Sequence, residues 1–244
     1  MSGKCLDSAP LGGSPPHQTL VGRARKALNY RMFTLLMQAG RELILFNGTG
    51  GEFAATIHEV TKKYVIVSVQ EHTVDNRESP LELELAIGIS RGERFEWVLQ
   101  KATELGVTKI TPLITERTEV KVNGDRQEKM HDRWQHILIS ACEQCQRNLL
   151  PQLSAPIQIS DWLPTVNSDL RFVLHHRDSK TLPAEQKPQN VTLLIGPEGG
   201  LSEREIEQAL AKNFNALTLG PRVLRTETAP VAAISLVQYL WGDF

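Results

Sequence analysis

The sequence predicts an α/β protein in two parts: a small β domain toward the amino end, then a parallel sheet covered by helices on both faces. Three observations carry this. Between residues 42 and 69, apolar and polar residues alternate at period two, the pattern of half-buried antiparallel strands. After residue 80 the strands become continuous apolar runs, each followed by a helix-period segment, so they must be buried on both sides. Between these parts lies a polar stretch, EHTVDNRESP over 71–80, which ends in proline and reads as a linker. The expected layout is a disordered tail over 1–18, a β domain over 19–72, a linker over 73–80 and an α/β domain over 81–244.

Each element has its own signal. Residues 1–18 are rich in Gly, Ser and Pro, a composition that orders poorly. Arg23, Arg25, Lys26 and Arg31 form the one clearly basic cluster, either a solvated charged face or a set of phosphate contacts. A strand over 42–46 leads into Asn47-Gly48-Thr49-Gly50-Gly51, a turn whose residues tolerate positive φ. Phe53, Ala55 and Ile57 alternate with their neighbours, Lys62-Lys63 marks a turn, and a β-branched strand runs over 64–69; the meander suggests a small barrel. In the second part, strands are expected over 83–89, 110–114, 171–175, 191–195 and 216–219. Helices are expected over 93–105, 126–147, 202–212 and 228–239. In the first helix, Phe95, Val98, Leu99, Ala102 and Leu105 form one stripe that Gly106 ends.

Composition removes several classes of function. Of 244 residues, 41% are hydrophobic and 23% charged, a globular profile. Lys+Arg 27 against Asp+Glu 28 leaves a net charge of −1, so any nucleic-acid site has to be a local patch. No apolar run approaches the ~18 residues that span a bilayer, and no membrane association is expected. Three cysteines make no disulfide framework and no apolar leader opens the chain, so a cytoplasmic location is expected. Cys142 and Cys145 share one helix face and read as packing residues. His175 and His176 are adjacent on a strand and would point to opposite faces, so no metal site is expected.

Ligands of open α/β sheets bind beyond the carboxyl ends of the strands. Three such ends stand out: Leu174-His175-His176-Arg177; Ile195-Gly196-Pro197-Glu198-Gly199-Gly200-Leu201-Ser202; and Leu219-Gly220-Pro221-Arg222-Val223-Leu224-Arg225-Thr226-Glu227-Thr228-Ala229-Pro230. The glycines of the second let a ligand approach the backbone, and Ser202 with Glu205 forms a capping box that starts a helix there. Neither dinucleotide nor triphosphate glycine spacing is present, which leaves other adenosine-containing ligands open. In the third, Pro230 must lie in the first turn of the last helix, so the cap is Thr226 or Thr228. Arg225 and Glu227 then sit at a helix start, as a functional pair or as a structural salt bridge.

These segments resemble a known family. LLIGPEGGLSEREI followed by LGPRVLRTETAPVAAI is similar to the knotted SPOUT class of methyltransferases. With SRGERFEWVLQKATELGVTKITPLITERTEV, ACEQCQRNLLP and RELILFNGTGGEFAATIHEVTKK, the similarity narrows to the bacterial small-subunit ribosomal RNA uridine N3-methyltransferases, type E, and covers residues 37–244. The resemblance implies a PUA-like RNA-binding barrel, a Rossmann-like sheet ending in a trefoil knot, bound S-adenosyl-L-methionine, a homodimer and a uridine of 16S ribosomal RNA as substrate. It assigns Leu174, His175, Ile195, Gly196, Glu198, Gly199, Gly200, Leu219, Gly220, Val223, Leu224, Arg225, Thr228 and Ala229 to the cofactor site.

The chemistry suggests the remaining roles. Removing the N3 proton of uridine puts negative charge on O2 and O4, which Arg225 could stabilise, while Glu198 or Glu227 could accept the proton or orient the arginine. The target base must be unstacked to reach the methyl group. Arg23, Arg25, Lys26, Arg91, Arg94, Arg147 and Arg177 are the RNA candidates, although Arg147 could instead pair with Glu143 one turn back. Residues 1–16 depart from the basic strand that opens family members. Two other readings stay open: ribose 2′-O methylation on the same fold, and an RNA-binding assembly factor with little catalysis.

Overall fold

A computed structural model describes residues 3–5, 19–20, 38–61, 64–74, 77–175 and 182–244. The chain divides into two units, one of Met1–Glu78 with Cys142–Leu150, the other of Ser79–Ala141 with Pro151–Phe244.

The small unit is a five-stranded sheet in the order β1-β3-β4-β5-β2: β1 (Gly3–Cys5), β2 (Thr19–Leu20), β3 (Glu42–Phe46), β4 (Glu52–Val60) and β5 (Val65–Thr73). β3, β4, β5 and β2 pair antiparallel, as the alternation predicted. β1 pairs parallel to β3, inside the segment expected to be a tail. Strand pairing needs only backbone donors and acceptors, which a Gly/Ser-rich stretch also has. The other residues of 1–18, and the basic Arg23, Arg25 and Lys26, lie outside the described residues. Leu45, Ala55, Ile57 and Val67 form the buried core of this unit.

Residues 142–150 complete the small unit. Thr49 and Leu149 form an antiparallel bridge, Leu150 N–H donates to Gly48 O at 3.2 Å, and Arg77 Nη1 donates to Gln146 O at 2.9 Å. Arg147 is buried, and its guanidinium meets both oxygens of the Glu78 carboxylate, Nε donating to Oε1 at 2.9 Å. This corrects the expectation that Arg147 contacts RNA: the side chain is buried away from a solvent-borne phosphate, and the Glu78 carboxylate takes its fork. A guanidinium with a bidentate carboxylate partner can be buried where an unpaired one cannot. Cys142 is buried and Cys145 partly buried.

The larger unit is a parallel sheet in the order β12-β10-β11-β6-β7-β8, with β9 also paired to β7. In chain order it comprises β6 (Glu82–Gly88), α1 (Glu93–Glu104), β7 (Lys109–Ile114), α2 (Gly124–Cys145), whose last residues belong to the small unit, β8 (Gln152–Leu153), β9 (Ile157–Gln158), α3 (Ile159–Trp162) with a 3-10 turn over Leu163–Thr165, β10 (Leu170–Leu174), β11 (Asn190–Ile195), α4 (Glu203–Ala211), β12 (Asn215–Leu217) and α5 (Thr228–Trp241). All its strand pairs are parallel. Alternate residues supply two cores. Leu83, Leu85, Ile87 and Leu193 pack with Phe95 and Leu99 of α1, Trp134 and Leu138 of α2, and Ile234 and Val237 of α5. Ala86, Val173 and Leu194 face Trp162 of α3 and Ala209 of α4. Helices on both faces are why these strands are mostly apolar on both sides; the polar Glu84, Thr111 and Thr192 within them are linked by hydrogen bonds. Among the described residues, no helix is long and apolar enough to cross a membrane.

Candidate functional site

Because the strands run parallel, the carboxyl ends of β6, β7, β10, β11 and β12 lie along one edge of the sheet. The loops that leave them carry the predicted site residues. His176 and Arg177 of the β10 loop lie outside the described residues.

The glycine turn after β11 is built by its neighbours. Gly200 N–H donates to Pro197 O at 2.8 Å. A Cβ on Gly196 would sit 2.7 Å from the Gly200 carbonyl carbon and Leu201 N, so the turn closes on this residue. A Cβ on Gly88, at the end of β6, would overlap the Pro197 ring and sit 2.5 Å from its nitrogen, so the turn lies directly on the strand end. Ser202 and Glu205 form the predicted capping box: Ser202 Oγ accepts from Glu205 N–H and Glu205 Oε2 accepts from Ser202 N–H. The other Glu205 oxygen accepts Glu116 N–H at 2.8 Å, from the β7–α2 loop.

Glu198 is engaged as well. Its Oε1 accepts the Arg91 backbone N–H at 2.9 Å and lies 3.7 Å from Arg94 Nη1, which joins the β6–α1 loop to the turn. Arg91 also pairs with Glu119 at 2.8 Å. Arg91 and Arg94 keep side-chain exposures of 69% and 57%, so both cations remain open to a ligand at the rim.

The β10 and β12 loops are tied to each other. His175 N–H donates to Leu217 O at 3.0 Å, and Thr218 Oγ1 donates to His175 O at 2.7 Å. Leu174, Leu219 and Leu224 are half-buried, whereas Val223 is 86% exposed. The Arg225 carbonyl accepts the N–H groups of Thr228 and Ala229. Helix α5 therefore begins at Thr228, with Glu227 as its cap and no side-chain cap bond. The expected threonine cap is corrected on this point: the Arg225 carbonyl, not a hydroxyl, closes the helix end. Arg225 is exposed and Glu227 half-buried. They do not form a salt bridge with each other, and neither side chain has a hydrogen-bond or ionic partner among the described residues.

This edge suits an adenosine-containing sulfonium. Gly200, at φ +69°, has no heavy atom within 4 Å of where a Cβ would stand, and Gly220, at φ +81°, has only Arg222 Nη2 at 3.9 Å, so both present open backbone to a ligand. The half-buried leucines offer apolar walls for a purine. Ser90, at the end of β6, is 2% exposed, and its Oγ lacks any hydrogen-bond partner among the described residues. Ser90, Glu116 and Arg117 are residues of this edge that sequence reasoning did not single out. The signal was available in one form only: they follow strand ends on the same side of the sheet. Among the described residues, no group of three or more His, Cys, Asp or Glu side chains is placed to hold a metal ion.

Comparison with known proteins agrees with this geometry. The model of the RNA methyltransferase domain family matches residues 77–238. The chain is 34% identical over 218 residues to the ribosomal RNA small subunit methyltransferase E of Buchnera aphidicola, covering 88% of this chain and 86% of that protein. It is 33% identical over 213 residues to the Bacillus subtilis protein of the same name, covering 83% of each. Among solved structures, the ribosomal RNA small subunit methyltransferase E of Neisseria gonorrhoeae, bound to S-adenosyl methionine, superposes with a TM-score of 0.89 at 34% identity, covering 100% of this chain and 99% of that one. A Legionella pneumophila methyltransferase with bound SAM gives 0.90 at 42% identity, covering 100% and 98%.

Proposed function

Since the chain belongs to the ribosomal RNA small subunit methyltransferase E family and is an S-adenosylmethionine-dependent methyltransferase, we propose that it methylates N3 of a uridine in 16S ribosomal RNA. The observation that carries the reading is the start of α5, where Arg225 and Glu227, without side-chain partners among the described residues, follow the open Gly220 backbone in the same β12–α5 loop.

Bound S-adenosylmethionine supplies an electrophilic methyl group whose sulfonium needs no further activation. The protein's task is placement and charge. Residues of the three loops, Leu174 and His175, Ile195 to Gly200, and Leu219 to Ala229, hold the cofactor through backbone groups and apolar walls. Uridine N3 must lose its proton, and the Glu227 carboxylate accepts it. Arg225 stabilises the negative charge that then spreads over O2 and O4. Glu198 serves differently, because Arg91 and Arg94 already occupy it: it braces the glycine turn. RNA is held at the rim by Arg91 and Arg94, and, on their charge and place in the sequence, by Arg23, Arg25, Lys26 and Arg177.

The small unit, with the sheet of β1 to β5, is a PUA-like barrel, and the segment after β12 threads a trefoil knot. The strand order supports a crossing, since the last strand lies outside β10. A homodimer is supported by apolar side chains that helices α1 and α5 leave exposed while packing on each other: Trp97 at 41%, Leu236 at 43% and Tyr239 at 71%. Work on ribosomal RNA implies a cytoplasmic enzyme.

The test is nucleoside mass spectrometry of 16S ribosomal RNA from a strain lacking the protein. Loss of one 3-methyluridine, restored by the wild-type chain, is expected. An unchanged methyluridine content, or loss of a ribose-methylated nucleoside instead, overturns the assignment.

A further inference from the structure

The β7–α2 loop has no role in the reaction as described, yet it grips the glycine turn at two points. Glu116 N–H is held by Glu205, and Arg117 Nη1 donates to Gly199 O at 2.7 Å. The Arg117 stem also covers that residue, since a Cβ on Gly199 would sit 3.1 Å from Arg117 Cβ and 3.3 Å from its Cδ. The loop is braced at its base: Thr118 N–H donates to Thr115 O at 3.0 Å, and Thr115 N–H donates to Thr118 Oγ1 at 2.9 Å. Glu119 is tied to Arg91, whose N–H is in turn held by Glu198.

The peptide between Gly199 and Gly200 is therefore pinned at both poles, its carbonyl by Arg117 and its N–H by Pro197 O. A peptide between two glycines has the least intrinsic preference for one orientation, so external bonds decide how it stands. We propose that Arg117 is a positioning residue for the cofactor: it fixes the Gly199–Gly200 peptide and thereby the open face that Gly200 presents to S-adenosylmethionine. The inference rests on the reading that the glycine turn seats the cofactor. An exposed arginine at this edge has a plainer use as a phosphate contact, but here one guanidinium nitrogen is directed at a backbone carbonyl and the stem is laid along the turn.

The experiment compares full-length wild type, Arg117→Ala and Arg117→Lys. Hydrogen–deuterium exchange without ligand reports the turn directly. Arg117→Ala is expected to raise amide exchange over 196–201 about tenfold and to leave 82–88 unchanged. Titration calorimetry is expected to show Kd for S-adenosylmethionine raised about tenfold, the scale of a charge-assisted hydrogen bond. KM for the cofactor should rise in step while kcat falls less than threefold, and Arg117→Lys, which retains a donor, should recover at least half of the affinity. Unchanged exchange in the turn overturns the proposal, as does a loss confined to RNA affinity, which would make Arg117 a phosphate contact. The seat of the cofactor is checked separately on wild type. If bound S-adenosylmethionine gives 196–201 no protection, the glycine turn is not its seat and both readings fall.

Discussion

Substituting alanine for Gly88 tests how closely the glycine turn depends on the strand beneath it. Gly88 ends β6 with no positive φ, so its backbone accepts alanine and any effect is steric. The new methyl would overlap Pro197 Cδ and lie 2.5 Å from Pro197 N and 3.1 Å from the Gly196 carbonyl carbon. Carbon contacts settle near ~3.5–4.0 Å, so the turn has to retreat by about 1 Å. None of these atoms is the tip of a flexible side chain. The turn is meanwhile held by Glu198 to Arg91 at 2.9 Å and by Gly199 to Arg117 at 2.7 Å, and neither bond survives such a shift intact. Overpacking of this kind costs about 1–3 kcal/mol, which lowers the melting temperature by several degrees in a unit of this size. The functional effect should be larger, because a displacement of ~1 Å at a site can cost ~100-fold in rate. Calorimetry with S-adenosylmethionine should show affinity reduced at least tenfold, while Gly40→Asn, at φ +85° with open space around it, leaves that affinity unchanged. Wild-type affinity in a folded Gly88→Ala protein would refute the claim that this strand end sets the turn.

Arg225→Ala should keep S-adenosylmethionine affinity within about tenfold of wild type while single-turnover methylation of small-subunit RNA falls ~100-fold, the scale of one lost oxyanion donor; equal losses in both would mark it as structural. Glu227→Gln should lower turnover ~100-fold in the same assay, whereas Glu198→Gln, which retains an oxygen for the Arg91 N–H, should act mainly on cofactor affinity, by a few-fold. Glu78→Ala takes the bidentate carboxylate from the buried Arg147 guanidinium and should destabilise the small unit by about 3–5 kcal/mol, read by urea unfolding monitored through exchange over 52–73; a shift under ~1 kcal/mol would contradict the burial of the pair. Ser202→Ala removes half of the capping box and should cost about 1 kcal/mol in the larger unit by thermal unfolding.

What could be read from the sequence was local. The capping box of Ser202 and Glu205 spans three residues, and its geometry follows from the helix start itself. The mostly apolar run over 191–195 and the helical period of Phe95, Val98, Leu99 and Ala102 announce their burial, and both are buried. Strands β8 and β9 have two residues each, too few for a period to show, and α3 with its 3-10 turn is a single winding whose Ile159, Trp162 and Leu163 are recognisable as core only once the sheet is in place. Charge suggests exposure for Arg147, yet it is buried, and the carboxylate that takes its guanidinium is 69 positions away. The same distance problem hid Arg117, whose carbonyl partner is 82 positions along the chain. The site's glycines were visible as a motif, but which of them are packed shut and which stand open was not: Gly196 is closed by its own turn, while Gly200 faces open space.

The small unit is stitched from two stretches of chain that are far apart in translation order. Its strands emerge first, yet Glu78 lacks the guanidinium it grips, and the 47–51 turn lacks its bridge, until Gln146 to Leu150 have left the ribosome. A fragment ending at residue 78 would carry a carboxylate without that guanidinium and a 47–51 turn without its bridge. Any attempt to isolate the amino-terminal module for binding studies therefore has to supply the QRNLL segment, fused or in trans, or it will be measuring an incomplete fold.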